Sequence, residues 1–234
     1  MIPHRLGFVG ASPQDYKVDS LPITDNGLDA VRATLKKMAA LVRRYSADVT
    51  TGTHARNILR SGGITDVRKH RQARSSVALL QHWVRDEIAY VYDPIDVEWI
   101  QTPPQTLSLG TGDCDDKAIL LSAMLESVGF QTQFLAVGGV GPGWQSDTLG
   151  PTDGTYEESG GADDIPGENL SADGVPVGQA PPFSHVLTSV KLGAPTGRRP
   201  WYLDGWTPLE TIVDGAEPGW LPPGIAVILP WRVR

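Results

Sequence analysis

Cysteine is all but absent: the 234-residue chain has one, Cys114. A single thiol excludes an internal disulfide and any metal site built on several cysteines, and it fits a reducing compartment. Long apolar runs are missing too. No window approaches the roughly 18 apolar residues of a membrane helix, so no span is expected. The opening Met1-Ile-Pro-His-Arg-Leu-Gly lacks the apolar stretch of a signal peptide. Lysine and arginine are missing from residues 145–180, which hold eight carboxylates: Asp147, Asp153, Glu157, Glu158, Asp163, Asp164, Glu168 and Asp173. The rest of the chain has 20 basic and 19 acidic side chains, so the net charge of -7 belongs to that one segment. Such a balance gives no argument for nucleic-acid binding.

What is present is a globular composition, with 40% hydrophobic and 20% charged residues, rich in Gly (26) and Pro (19). Residues 1–24, with Pro3, Pro13 and Pro22, read as an extended arm or short strands. After Asp25-Asn-Gly, apolar residues from Leu28 to Tyr45 recur at three- and four-residue steps, which predicts a helix of about five turns. A short helix is expected near His54–Leu59 and a second long one over 67–90, with Val77, Leu80, Val84 and Ile88 inward. The first half of that helix is basic, a solvated face or a docking surface for an acidic segment. Asp93-Pro94 and Pro103-Pro104 make 91–111 an extended connector. Lys117–Val128 is apolar nearly all round, the mark of a buried helix, and Gly129 ends it. Strands are expected at Phe130–Val137, Phe183–Leu192, Pro200–Asp204 and Ile225–Leu229. Residues 138–182 read as a long acidic loop between two strands. Helices first and strands after give an α+β fold, with an antiparallel sheet packed on the central helix and a helical N-terminal extension.

Cys114 falls at the start of the buried helix, where free N–H groups and the helix dipole stabilise a thiolate. Asp113, Asp115 and Asp116 beside it work the other way, so a cationic partner is needed. His185, in the alternating run Phe-Ser-His-Val-Leu-Thr-Ser-Val, can supply one. If Phe183–Leu192 and Pro200–Asp204 are arms of a hairpin centred between residues 194 and 195, Asp204 lies opposite His185 on one face. Nucleophile, base and orienter are then together. The Cys114 amide and one of Gln105, Gln101 or Trp99 are the oxyanion-donor candidates. The aspartates lack the spacing of a calcium loop, and no metal or cofactor is expected.

The run Gly112-Asp-Cys-Asp-Asp-Lys-Ala-Ile-Leu-Leu-Ser-Ala-Met-Leu-Glu-Ser-Val-Gly-Phe, followed in order by Ser184-His-Val and Trp201-Tyr-Leu-Asp204, resembles the transglutaminase-like superfamily of papain-type cysteine enzymes. The resemblance covers roughly residues 75–210. It implies a transglutaminase-like domain over 67–234, with the insertion 138–182 and the extension 1–66 packed on the core. It also implies Cys114 as nucleophile, His185 as base, Asp204 as orienter, and a protein or peptide substrate attacked at an amide through a thiol acyl-enzyme. The Asp-Cys-Asp-Asp form with Pro103-Pro104 is most similar to members carried by tailed bacteriophages and prophages. That implies a bacterial cytoplasm or a virion as the setting and phage structural proteins as further partners. The alternative is a non-catalytic structural or interaction protein of a phage particle that keeps the fold.

Overall fold

The computed structural model describes residues 19–22, 28–67, 70–93, 97–139 and 183–234. The arm 1–18, the Asp25-Asn-Gly signal and nearly all of the 138–182 insertion, acidic stretch included, lie outside the described residues.

Helix α1 (Leu28–Tyr45) turns Leu35, Met38, Ala39, Leu41 and Val42 inward, at the spacing of one helix face. Helix α2 (Val49–Ser61) is longer than the short helix expected, because Asp48 caps it by accepting from the Thr51 N–H at 2.9 Å. Helix α3 (His70–Glu87) buries Val77, Leu80 and Val84. The stretch 91–111 is not an extended connector. After strand β2 (Ala89–Tyr90) it forms strand β3 (Val97–Ile100), helix α4 (Pro103–Leu109) and strand β4 (Thr111–Gly112). The two prolines start α4 rather than prevent it, since the first helical turn needs no proline N–H. The Gln105 side chain reaches back to accept from the Thr102 N–H at 2.7 Å. Strand β1 (Asp19–Pro22) pairs antiparallel with β3, and β2 pairs parallel with β4.

Helix α5 (Cys114–Ser127) is the centre of the fold, buried on every side from Asp115 to Leu125. It packs against an antiparallel sheet of β5 (Thr132–Gly139), β6 (His185–Lys191), β7 (Trp206–Leu209) and β8 (Ile225–Arg232), in the order β7-β6-β5-β8. One face of α5 (Leu120, Leu121, Met124, Leu125) shares a core with α2, α3, Val190 and Leu209. Another face of the helix (Ala118, Ile119, Ala123) shares a second core with α1, Phe134, Val186 and Val233. Each fully buried Leu, Ile or Phe stabilises by about 1.5–3 kcal/mol. Among the described residues, no helix is long and apolar enough to cross a membrane.

Two features of this packing position the site. The first is that β6 runs alongside α5 in the same sense. Thr188 donates to the Ala118 carbonyl and meets the Ser122 hydroxyl, both at 3.0 Å. Thr132 of β5, which opposes Val190 of β6, donates to Glu126 near the end of α5 at 3.0 Å. His185, where β6 begins, is thereby level with the first turn of α5. The second feature is the hairpin register. Thr188 opposes Leu209 and Lys191 opposes Trp206, so the centre lies between residues 198 and 199, not between 194 and 195. Residues 201–205 form turns where a strand over 200–204 is expected.

Candidate active site

The turn that carries Cys114 is built by its flanking acids. Asp113 caps α5 by accepting from the Asp116 N–H at 3.1 Å. Asp116 accepts from the Gln101 N–H at 2.7 Å, tying β3 to the helix start. Gly112 is required here, because a Cβ on it would come within 2.7 Å of the Asp116 Cβ. The half-buried Cys114 Sγ donates to Asp115 Oδ1 at 3.4 Å.

His185 is buried, and its Nε2 lies 2.7 Å from Oε2 of Glu210, which is fully buried. The other Glu210 oxygen accepts from the Thr211 and Ile212 N–H groups, each at 2.7 Å. Burial alone would push the Glu210 carboxyl up. The His185 imidazole and those two amides outweigh it and hold the group below the usual carboxylate range. The Glu210 carbonyl accepts from Gln81 Nε2 of α3 at 2.8 Å. Lys117, one turn along α5 from Cys114, is also buried; it donates to the carbonyls of Ile88 at 2.8 Å and Arg85 at 3.3 Å.

His185 therefore meets Glu210, not Asp204. The register explains the difference. Continued to His185 it leads to residue 212, and Glu210 lies diagonal to that pair on the same face. Asp204 instead organises the hairpin tip. Its carboxylate accepts from the Thr196 N–H at 2.7 and 2.8 Å, the Thr196 hydroxyl at 2.9 Å and the Gly197 N–H at 2.5 Å. Those donors hold it below the usual aspartate range.

The oxyanion candidates separate. The Gln105 side-chain oxygen is committed to the start of α4, accepting from both the amide and the hydroxyl of Thr102. Trp99 is 39% exposed, and its N–H donates to Asp93 at 2.5 Å. Gln101 is the one tied through its backbone to the Cys114 turn, and its side-chain Oε1 is buried without a hydrogen-bond partner. Tyr90 was not among the sequence candidates. It pairs with Gly112 in the β2–β4 ladder. Burial, then the fields of Cys114, Asp113, Tyr92 and Asp115, push its phenol above the usual range. Its hydroxyl therefore stays protonated at neutral pH.

Residues 61–198, more than half of the chain, match the core of the transglutaminase-like superfamily. The chain belongs to that superfamily. No curated protein and no solved structure matches it. The match spans Cys114 and His185 and stops short of both Asp204 and Glu210. Transglutaminase-like proteins generally work through a cysteine, and this one places its single thiol at the N-terminus of the buried helix, level with a histidine–carboxylate pair. Among the described residues, no group of three or more His, Cys, Asp and Glu is placed to hold a metal ion.

Proposed function

We propose that the protein is a thiol enzyme that cleaves or transfers acyl groups at amide bonds of a protein or peptide substrate, with Cys114 as nucleophile, His185 as base and Glu210 as orienter. The observation that carries this reading is the 2.7 Å contact between His185 Nε2 and Glu210, both buried, at the end of β6 level with the helix that begins at Cys114. A carboxylate on Nε2 leaves Nδ1 to serve the thiol.

The steps follow from that assignment. The Cys114 proton passes to His185 as sulfur forms a bond to the amide carbon and the carbonyl electron pair moves onto oxygen. The Cys114 amide and the Gln101 side chain receive that oxyanion. Collapse breaks the C–N bond, and His185 gives the proton to the leaving nitrogen. Water, or a second amine, then attacks the thioester. His185 takes its proton and returns it to sulfur as the C–S bond breaks. Glu210 holds the ring throughout and stabilises the imidazolium. A phage or prophage origin, and a bacterial cytoplasm or a virion as setting, rest on the Asp-Cys-Asp-Asp resemblance.

The test is acyl-enzyme trapping. The protein is mixed with p-nitrophenyl acetate and followed by mass spectrometry. An acetyl adduct should form on Cys114 and decay, and His185→Ala should slow both steps about a hundredfold or more. No adduct, or one indifferent to His185→Ala, overturns the enzyme reading and leaves the fold to a non-catalytic role.

A further inference from the structure

Glu210 lies one residue past the end of the sheet. The β6–β7 ladder closes with the pair Thr188–Leu209, so the ladder itself does not fix the backbone that carries the carboxylate. A side chain from across the fold does. Gln81 of α3 is fully buried, and its Nε2 donates to the Glu210 carbonyl at 2.8 Å and to the Ala216 carbonyl at 3.1 Å. Those carbonyls stand at the two ends of the loop 210–216, so one amide clasps the whole loop. An amide NH₂ carries two protons on one nitrogen and can serve both acceptors at once. Arg85, one turn further along α3, also donates to the Ala216 carbonyl, at 3.1 Å. Gln81 falls on the apolar face of α3, with Val77 four residues before it and Val84 three after, where a polar side chain without partners would be costly.

We propose that Gln81 is a positioning residue for the thiol site: by holding the Glu210 carbonyl it sets where the Glu210 carboxylate meets His185. The inference rests on the Cys114–His185–Glu210 reading above. The carboxylate is braced on its own loop, since Oε1 accepts from the Thr211 and Ile212 N–H groups at 2.7 Å each, while Oε2 lies 2.7 Å from His185 Nε2. Loop and carboxylate therefore move as one unit, and what fixes the loop fixes the carboxylate. Gln81 ties that unit to α3. Val77, Leu80 and Val84 of α3 share a core with α5, the helix that begins at Cys114. The contacts thus run from the helix of the thiol, through α3 and Gln81, to the group that orients the base.

Gln81→Met keeps the length of the side chain and removes both donors. With the loop unclasped, the carboxylate sits less closely against the ring and stabilises the imidazolium less. The pH midpoint for Cys114 alkylation by iodoacetamide should rise by about one unit, an about tenfold slower reaction below the midpoint and an unchanged plateau above it. Cys114 is the sole thiol, so the reagent reads that group alone. Leu59→Ala is the control. Leu59 is buried in the same core but on α2, so its truncation lowers the urea midpoint and should leave the alkylation profile at wild type. In a His185→Ala background, Gln81→Met should slow alkylation no further.

A glutamine that served the core alone would cost stability, as Leu59→Ala does, and leave the midpoint in place. NMR of His185 supplies a second readout. The ring proton that Nε2 shares with Glu210 should give a low-field line that moves upfield in Gln81→Met and stays put in Leu59→Ala. The outcomes separate the two readings. A wild-type rate below the midpoint that His185→Ala leaves unchanged overturns the thiol–imidazole site itself. A rate that His185→Ala lowers and Gln81→Met does not overturns the role of Gln81 alone. Should the Met variant not fold, Gln81→Asn takes its place, because its amide is one methylene short of the two carbonyls. Slower alkylation below the midpoint with the same plateau supports the assignment, and a wild-type profile overturns it.

Discussion

Exchanging the Glu210 carboxylate for an amide, Glu210→Gln, tests the site at its joint. Glu210 accepts at both oxygens: two backbone N–H groups on Oε1 and the imidazole on Oε2. Glutamine has one acceptor and one donor end, so it cannot satisfy both sets. If its oxygen keeps the Thr211 and Ile212 amides, its NH₂ faces Nε2. That forces the tautomer whose proton sits on Nδ1, the nitrogen the thiol needs as acceptor. If the amide flips, two buried N–H groups face a donor, at about 1–3 kcal/mol each. In either case the imidazolium loses a carboxylate at hydrogen-bond distance, a charge-assisted bond worth roughly 1.5–3 kcal/mol. The thiolate–imidazolium form should become about ten- to a hundredfold scarcer near pH 6, and Cys114 alkylation should slow by that factor. Asp204→Asn is the control. It weakens the bonds at the hairpin tip, lowers the urea midpoint, and leaves alkylation unchanged. Slowing in Asp204→Asn with none in Glu210→Gln would refute the assignment and return the orienter's role to Asp204.

Acid should destabilise the fold partly through the same pair. A depressed folded-state carboxyl gives Glu210 a contribution present above its unfolded pKa, about 4.3, and lost as pH falls through the folded value; urea midpoints from pH 6 to pH 3 should fall less steeply in Glu210→Gln. At the alkaline end Lys117 binds fewer protons folded than unfolded, so its term makes stability rise from pH 8 toward pH 10. Tyr90 and Tyr202, both raised, oppose it above that, and Lys117→Met should abolish the rise in the same titration. Asp115→Asn removes an anion 3.4 Å from Sγ and should speed alkylation severalfold at pH 6, with no change in the plateau. Gly205→Ala should cost about 1–3 kcal/mol in urea unfolding, since Gly205 has φ 78° and an added Cβ would lie 2.6 Å from the Gly193 carbonyl oxygen.

Much of the architecture was legible because it rests on local pattern. The residues of α1 repeat one apolar face, α5 is buried all round, and β6, read as a strand from its sequence, opens on its histidine. Proline misled at 103–104, where breakers of a helix interior serve as its first turn. The carboxylate that meets His185 was hidden by a different cause. Equal counting from the turn assumes a regular hairpin, but the Gly205 carbonyl receives both the Leu192 and the Gly193 N–H, and the Pro200 carbonyl receives both Leu203 and Asp204. Those irregular turns take up residues that strict pairing would have spent on strand. A signal for Glu210 was nonetheless present. Its setting, Pro-Leu-Glu-Thr-Ile-Val, places a lone carboxylate in an apolar stretch, and a carboxylate that follows the chain into the core requires a partner there.

The acids around Cys114, which count against a reactive thiol when only sequence distance is known, divide into separate tasks once geometry is known. Asp113 caps the helix. Asp116 faces β3 and draws Gln101 to the site. Of the three, Asp115 is the one that receives the thiol proton in a hydrogen bond. That contact favours the neutral thiol, so the resting site is biased toward S–H, and reaching the thiolate depends on the opposing pull of the proposed His185–Glu210 pair. Two opposing influences on one proton leave the balance open to what enters between them. A substrate that displaces the thiol from Asp115, by occupying that side of the cleft or by donating to the Asp115 carboxylate, would shift the equilibrium toward the nucleophile at the moment a carbonyl is present to receive it. On this argument the acidic flank restrains the nucleophile in the absence of substrate and does not abolish it.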